Sequence, residues 1–373
     1  MLVPYSGRIS GATTPSVRSV AARRLLEAAT WLTTPLLPDD FLAEVNPLWS
    51  TREARGRVDA VRPETPDSAT LLIRPGVGWG GHVPGQYVRV GVDVRGVRHW
   101  RTYSLTSVPG RADGRIAITV KVMAGGLVST QLVRRTPPGT ILRLTPAAGD
   151  FVLPRPTPAR LLFVTAGSGV TPIMGVLRAL AARGPLPALA HLHLAPARDD
   201  VIFGAELRRL ARDHPRMALA EHHDDTDGTF DVAALDARCP DWRARETWAC
   251  GPAGLLDALS DRFAAEGIAD RLHVERFAGV IVTPGAEGAG GHVRFTRSDR
   301  EFDADGATPL LAAGEAAGAI LPHGCRMGIC NTCVGRLRSG AVRDLRTGAL
   351  HDTEGELVRI CVSAAAGPVE IDL

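Results

Sequence analysis

Lysine is almost absent from this chain: of 43 basic residues Lys121 alone is one, and the rest are arginine. Charge of either sign is not in excess, since 40 acidic residues leave a formal net charge of only +3. That balance excludes a bulk nucleic-acid binder, and the arginine bias reads as genome composition rather than phosphate recognition. Aromatic residues are scarce at 5%, and no run reaches 18 consecutive apolar residues, so nothing patterns as a membrane span. The N-terminus lacks an apolar core followed by a small-residue cleavage site, so the expected location is the cytoplasm. Disorder is excluded as the dominant state, because 45% of the residues are apolar. The 373 residues suffice for two or three globular domains.

Cysteine is also sparse, and its placement is informative. Of the six, at 239, 250, 325, 330, 333 and 361, four crowd the C-terminal end. A disulfide framework would spread its cysteines through a small secreted chain, so this clustering points to metal. Cys325, Cys330 and Cys333 follow C-x4-C-x2-C spacing, with Cys361 further on. This is the plant-type arrangement for a [2Fe–2S] cluster. Gly324 and Gly328 permit the wrap such a loop needs, and Asn331 and Thr332 are small enough to pass close to the sulfides. A structural zinc site on the same thiolates is the alternative, although zinc favours paired C-x2-C knuckles. Cys239 reads as an ordinary cysteine near a surface turn before Pro240.

Composition breaks divide the chain. Residues 1–52 form an N-terminal extension with helical patterns over Val17–Leu32 and Asp39–Val45. Arg18, Arg23 and Arg24 precede a weakly amphipathic stretch, read as a helix docked on the protein, with a membrane-surface helix as the alternative. Residues 53–157 show short strands, 70–73, 86–92, 116–122 and 141–144, separated by Gly and Pro, which predicts an antiparallel β-barrel. From 158 to 280 strands at 160–164, 188–194 and 246–250 alternate with helices at 172–183, 204–213 and 253–266. That rhythm predicts a parallel sheet covered by helices. A Gly-rich linker, 281–291, leads to a compact α+β domain, 292–373, that holds the cysteine cluster. The expected fold class is therefore multidomain: barrel, α/β sheet and a β-grasp-like ferredoxin domain.

Three motifs carry chemistry. In Arg101-Thr102-Tyr103-Ser104 strand alternation sends Arg101 and Tyr103 to one side and Thr102 and Ser104 to the other. Gly126-Leu127-Val128-Ser129 opens a helix predicted over Thr130–Arg135, and a Gly-rich helix start offers free N–H groups and a positive dipole end to a diphosphate. Gly167-Ser168-Gly169-Val170-Thr171-Pro172 follows a strand and opens another helix; its glycines allow a close backbone approach to a diphosphate, and Pro172 suits a first helical turn. Cys250-Gly251-Pro252 closes a later strand, at the end where open α/β sheets bind ligands. The run Glu221-His222-His223-Asp224-Asp225 reads as a solvated turn rather than a metal site. Gly167-Ser168-Gly169 does not match a hydrolase elbow, and no His-rich oxygenase or desaturase box is present.

Arg101-x-Tyr103-Ser104 with Gly126-x-x-Ser129 resembles the two flavin motifs of the ferredoxin–NADP reductase family, and Gly167-x-Gly169-x-x-Pro172 is similar to its nucleotide turn. The resemblance implies that Tyr103 stacks on the flavin, Ser104 hydrogen-bonds its reactive edge and Arg101 meets its phosphate. Gly126, Leu127, Val128 and Ser129 would cap the diphosphate, with Thr102 and Lys121 on flavin-lining strands. FAD is preferred over FMN. Cys250, Gly251 and Pro252 would lie beside the nicotinamide, and Phe277 would shield the flavin. Gly167, Ser168, Gly169, Thr171 and Pro172 would hold the coenzyme. Arg198 would meet a 2′-phosphate and favour NADPH, whereas Asp199 and Asp200 would suit the ribose of NADH.

The motifs fall in the order flavin, nicotinamide, iron–sulfur, and electron counting explains why two redox centres are needed. NAD(P)H delivers two electrons as hydride, an iron acceptor takes one at a time, and a flavin interconverts the two regimes. The expected activity is a reductase feeding a separate one-electron acceptor: a membrane acyl-CoA desaturase, a haem monooxygenase or a Rieske oxygenase. The N-terminal extension and its junction Asn46-Pro47-Leu48-Trp49-Ser50-Thr51-Arg52-Glu53 resemble actinobacterial reductases of membrane fatty-acyl-CoA desaturases. Such a partner would bring the protein to the inner face of the membrane. A redox-sensing iron–sulfur flavoprotein without an oxidase is the alternative.

Overall fold

A computed structural model describes residues 42, 44–50, 53–94, 97–277, 290–323, 328, 332–345 and 348–373. The helical pattern of Val17–Leu32, most of the Gly-rich linker, Cys325 and Cys330 lie outside these residues. Among the described residues the chain forms three sheets.

The first sheet contains β1 (Ala54–Thr65), β2 (Ser68–Pro75), β3 (Tyr87–Val94), β4 (Val97–Ser104), β5 (Ile116–Lys121) and β6 (Ile141–Leu144), in the order β4-β3-β6-β1-β2-β5. Leu105 bridges Ile118, and the Thr106 N–H donates to the Ala117 carbonyl at 2.9 Å, so the chain leaving β4 meets β5 and closes the sheet into a barrel. Alternate residues Val88, Val90 and Val92 of β3 point into a core shared with Val58, Leu71, Ile73 and Leu132. β1 is a long strand that the sequence conceals, because its outward residues Arg55, Arg57 and Asp59 break the apolar pattern. Gly85 is obligatory: its φ is +96°, and a Cβ there would lie 2.0 Å from the Phe151 carbonyl oxygen. After β5, helix α1 covers Leu127–Arg134.

The second sheet is parallel throughout: β7 (Arg160–Ala166), β8 (Ala188–Ala195), β9 (Met217–His223), β10 (Glu246–Cys250) and β11 (Leu272–Glu275), in the order β11-β10-β7-β8-β9. Helices α2 (Val170–Ala181), α3 (Gly204–Asp213) and α4 (Ala253–Ala265) connect it. β7 is apolar on both faces, as a strand covered by helices on each side must be. The strand order reverses between β7 and β10, which leaves a crevice at their carboxyl ends. Residues 221–223 correct the expectation of a solvated turn. They belong to β9, His222 is buried, and the helical turn begins only at Asp224. Cys239 is likewise buried rather than at the surface, and burial raises its thiol pKa to about 11.

The third sheet contains β12 (Gly291–Phe295), β13 (Arg300–Ala304), β14 (Val334–Asp344), β15 (Leu350–His351), β16 (Leu357–Arg359) and β17 (Ser363–Asp372), with helix α5 (Leu310–Ala316). The order is β13-β12-β17-β14-β15, with β16 on β14; β12 and β17 are parallel and the other pairs antiparallel. Phe295, Leu310, Leu337, Ile360, Val362 and Ile371 form its core together with Cys333 and Cys361.

The described residues pack as two compact units, one of residues up to 98 with 102–250 and 258–275, the other of 99–101, 251–257 and 276–373. No described helix is long and apolar enough to cross a membrane.

Candidate electron-transfer site

At the end of β4, the buried hydroxyls of Thr102, Ser104 and Thr106 have no hydrogen-bond partner. An unpaired buried hydroxyl costs about 1–3 kcal/mol, and three at alternate positions fit a strand completed by a polar ligand edge. Tyr103 packs against the barrel core. The Arg101 guanidinium donates to the Trp100 carbonyl at 2.8 Å.

α1 starts at Leu127, three residues before the sequence-based expectation. Ser129 explains the difference: its hydroxyl accepts from the Met123 N–H at 3.1 Å and donates to the Gly126 carbonyl at 3.2 Å, tying the loop to the first turn. A Cβ at Gly126 would lie 2.5 Å from that hydroxyl. No side chain caps α1 and no acid lies in its first turn, so its positive end is unneutralised. A cleft of about 270 Å³ opens over Gly125, Gly126, Leu127, Thr130, Gln131 and Arg135. Val128 is buried in the barrel core beneath it. These features fit a flavin diphosphate held by backbone. Lys121 ends β5, and its ammonium pairs with Asp67 at 2.5 Å. Burial raises the Asp67 carboxyl pKa, but hydrogen bonds from Lys121 and Thr65 bring it below its usual value.

On the parallel sheet, Gly167 has φ +52° and Gly169 precedes α2, which begins at Val170 rather than Pro172. Thr171 donates to the Ser168 carbonyl at 2.9 Å, and no side-chain cap or acid occupies the first turn. Pro172 is buried in that turn. Arg198 is exposed in a short turn after β8, beside Asp199 and Asp200.

Cys250 is fully buried at the carboxyl end of β10. Its register neighbours reveal a row that the sequence did not: Glu275, Cys250, Thr165, His193 and Glu221 stand side by side across all five strands. The Thr165 hydroxyl bonds to His191 Nε2 at 2.8 Å and His193 Nδ1 at 2.7 Å. Burial holds both imidazoles below their usual pKa, His193 at about 3, so both are neutral. The only sequence signal was the i, i+2 spacing of two histidines in an otherwise apolar strand. Burial also raises the Cys250 pKa, with Glu275 adding to the effect, so this thiol is not a thiolate nucleophile.

Burial raises the Glu275 pKa to about 8, and one of its carboxylate oxygens is buried without a partner. Its pKa is higher folded than unfolded, so the stability linked to its proton is complete below about pH 4.5 and lost as pH rises through about 8. Glu275→Gln is expected to flatten the fall in melting temperature between those limits. Parallel Tm–pH curves for the two proteins would show that the carboxyl titrates normally.

In the other unit, Gly251 and Pro252 precede α4, and Phe277 is exposed. Cys333 and Cys361 are both buried. A hydrogen bond from Cys361, working against burial, lowers the Cys333 pKa to about 6, and the Gly328 N–H points at Cys361 Sγ from 3.3 Å. Two adjacent buried thiols with a backbone donor on sulfur fit a thiolate-ligated cluster. Cys325 and Cys330, the other expected ligands, lie outside the described residues.

Residues 80–153 match the family model of the oxidoreductase FAD-binding domain, and residues 293–366 match that of the 2Fe-2S iron-sulfur cluster binding domain. The chain is 49% identical over 361 residues to the NADPH oxidoreductase of Mycobacterium tuberculosis, spanning 96% of this chain and 92% of that protein. It is 32% identical over 315 residues to the ferredoxin reductase component of 3-ketosteroid-9-alpha-monooxygenase from the same species, spanning 78% and 83%. Phthalate dioxygenase reductase shares the fold, with TM-score 0.60 and 24% identity over 86% of this chain and 97% of that one. Fold and site thus define a pyridine-nucleotide-dependent electron-transfer reductase. The chain belongs to the ferredoxin–NADP reductase family, in the form that joins an FAD-binding domain to a C-terminal [2Fe–2S] domain.

Proposed function

We propose that the chain oxidises NADPH at the carboxyl ends of β7 and β10 and delivers single electrons to a separate oxygen-activating enzyme. The observation that carries this reading is the set of three unpartnered hydroxyls at Thr102 and Ser104 on β4 and Thr106 just beyond it, where the chain neighbours match the flavin motif. FAD, when bound, supplies the conversion from hydride to single-electron transfer. Ser104 and Thr102 orient its edge by hydrogen bonding, Tyr103 covers a ring face, and Gly126 to Ser129 hold its diphosphate. The Gly167–Pro172 turn holds the coenzyme diphosphate, and the buried neutral Cys250 excludes water beside the nicotinamide. Cys325, Cys330, Cys333 and Cys361 hold the cluster.

NADPH is favoured by Arg198, whose guanidinium suits a 2′-phosphate, and by the 49% identical relative, an NADPH oxidoreductase. For the acceptor, an oxygenase is supported by the monooxygenase named for the 32% identical relative. A fatty-acyl desaturase is supported by the resemblance of the N-terminal extension to reductases of such enzymes. The extension itself lies largely outside the described residues.

Anaerobic visible spectra before and after adding each coenzyme test the reading. Flavin and iron–sulfur bands are expected to bleach faster with NADPH. Arg198→Ala is expected to raise the KM for NADPH about 10–100-fold while leaving that for NADH nearly unchanged. Intact bands that neither coenzyme bleaches would favour the sensor alternative. Zinc without iron by elemental analysis would remove the cluster.

A further inference from the structure

α2 links the coenzyme turn to the barrel more intimately than packing requires. A Cβ at Gly175 would lie 2.4 Å from the Leu105 carbonyl oxygen, so the helix meets the end of the flavin strand backbone to backbone. One turn further on, the Arg178 guanidinium uses three of its nitrogens. Nη1 donates to the Thr106 carbonyl at 2.6 Å, while Nε and Nη2 hold both oxygens of Glu206, on α3, at 2.8 and 2.6 Å. The face of the same group lies 4.8 Å from the ring centroid of Phe203. Phe203 closes the loop that begins at Arg198 and has φ +61°, a conformation that a bulky residue adopts only when its surroundings impose it.

One planar cation therefore touches the segment after Ser104, the helix that starts at the coenzyme turn, and the loop carrying Arg198. We propose that Arg178 is a positioning residue for hydride transfer: it locks the flavin-strand end to both coenzyme-binding segments, so that coenzyme and flavin are held in one register. The inference rests on the functional reading above. Its physical basis is that hydride transfer needs close, aligned donor and acceptor, and a displacement of about 1 Å costs on the order of 100-fold in rate. A guanidinium suits this role because its donors are fixed in one plane, whereas an ammonium is a flexible point donor. The Thr106 N–H already donates to the Ala117 carbonyl, so with Arg178 on its carbonyl both backbone groups of Thr106 are held.

The test compares Arg178→Met, Arg178→Lys and a structural control, Arg243→Met. The control breaks an ion cluster with Asp236 and Glu266 at the amino end of the sheet. Arg178→Met is expected to retain FAD and to slow flavin reduction by NADPH about 10–100-fold in stopped flow. The affinity for NADPH should change by less than about threefold. It is also expected to weaken the long-wavelength charge-transfer absorbance formed when NADP⁺ binds the reduced protein. Arg178→Lys should recover part of both signals, and it replaces the Met variant if that one does not fold. A Met variant that matches Arg243→Met in rate and charge-transfer absorbance at equal loss of Tm would overturn the inference. If neither coenzyme reduces the wild-type flavin, the functional reading falls first and takes this inference with it.

Discussion

Cys333→Ser is expected to abolish the iron–sulfur absorbance and to lower coenzyme-dependent reduction of cytochrome c by about 100-fold or more, while NADPH still bleaches the flavin. The reason lies in the surroundings of the sulfur. Cys333 is 1% exposed, hydrogen-bonded to Cys361 and drawn toward its thiolate form, with the Gly328 N–H directed at the neighbouring sulfur. A serine hydroxyl in that position does not ionise near neutral pH and cannot replace a soft sulfur donor. Iron content, visible absorbance and the paramagnetic signal of the reduced protein give three independent readings. Full iron occupancy with an unchanged spectrum would show that Cys333 is not a ligand.

The second large effect is expected at Gly126. Valine there would bring its Cβ to 2.5 Å from the Ser129 hydroxyl and 2.9 Å from the Met123 carbonyl, displacing the loop that opens α1. Val128 and Leu132 anchor α1 in the barrel core without touching the new Cβ, so the variant should fold and be purified without flavin, its FAD affinity reduced about 100-fold or more. Equilibrium titration of the apoprotein with FAD, followed by flavin fluorescence, measures it. Wild-type affinity would mean that the diphosphate is held elsewhere.

Both predictions concern features visible in the linear sequence, and the physical reason is the same. Diphosphate turns and the thiolate loop are built by residues a few positions apart, so their composition and spacing reflect their chemistry directly. Gly126-x-x-Ser129, Gly167-x-Gly169 and Cys325-x4-Cys330-x2-Cys333 are such patterns. The apolar runs of β7 and β8 and the helix at 204–213 are similarly local, and their boundaries needed few corrections. Errors arose where a neighbour outside the window changed the outcome. β9 carries Glu221, His222 and His223 at its end because Arg208 pairs with Glu221 across from α3, and His222 is buried with Nε2 2.7 Å from the Gly228 carbonyl oxygen.

The sequence by itself determined the three-part architecture, the class of chemistry and the local cradles for diphosphate and sulfur, because each depends on periodicity or short-range spacing. Only the tertiary structure decided which polar residues share an environment. The row from Glu275 through Cys250, Thr165 and His193 to Glu221 exists because five parallel strands adopt one register in an order unlike their order in the chain. Arg178 meets Thr106, 72 residues earlier, because Gly175 lets a helix of one sheet touch the backbone of another. Burial then shifts the titration of Glu275 and the two histidines, and burial is a property of the packed molecule rather than of any segment.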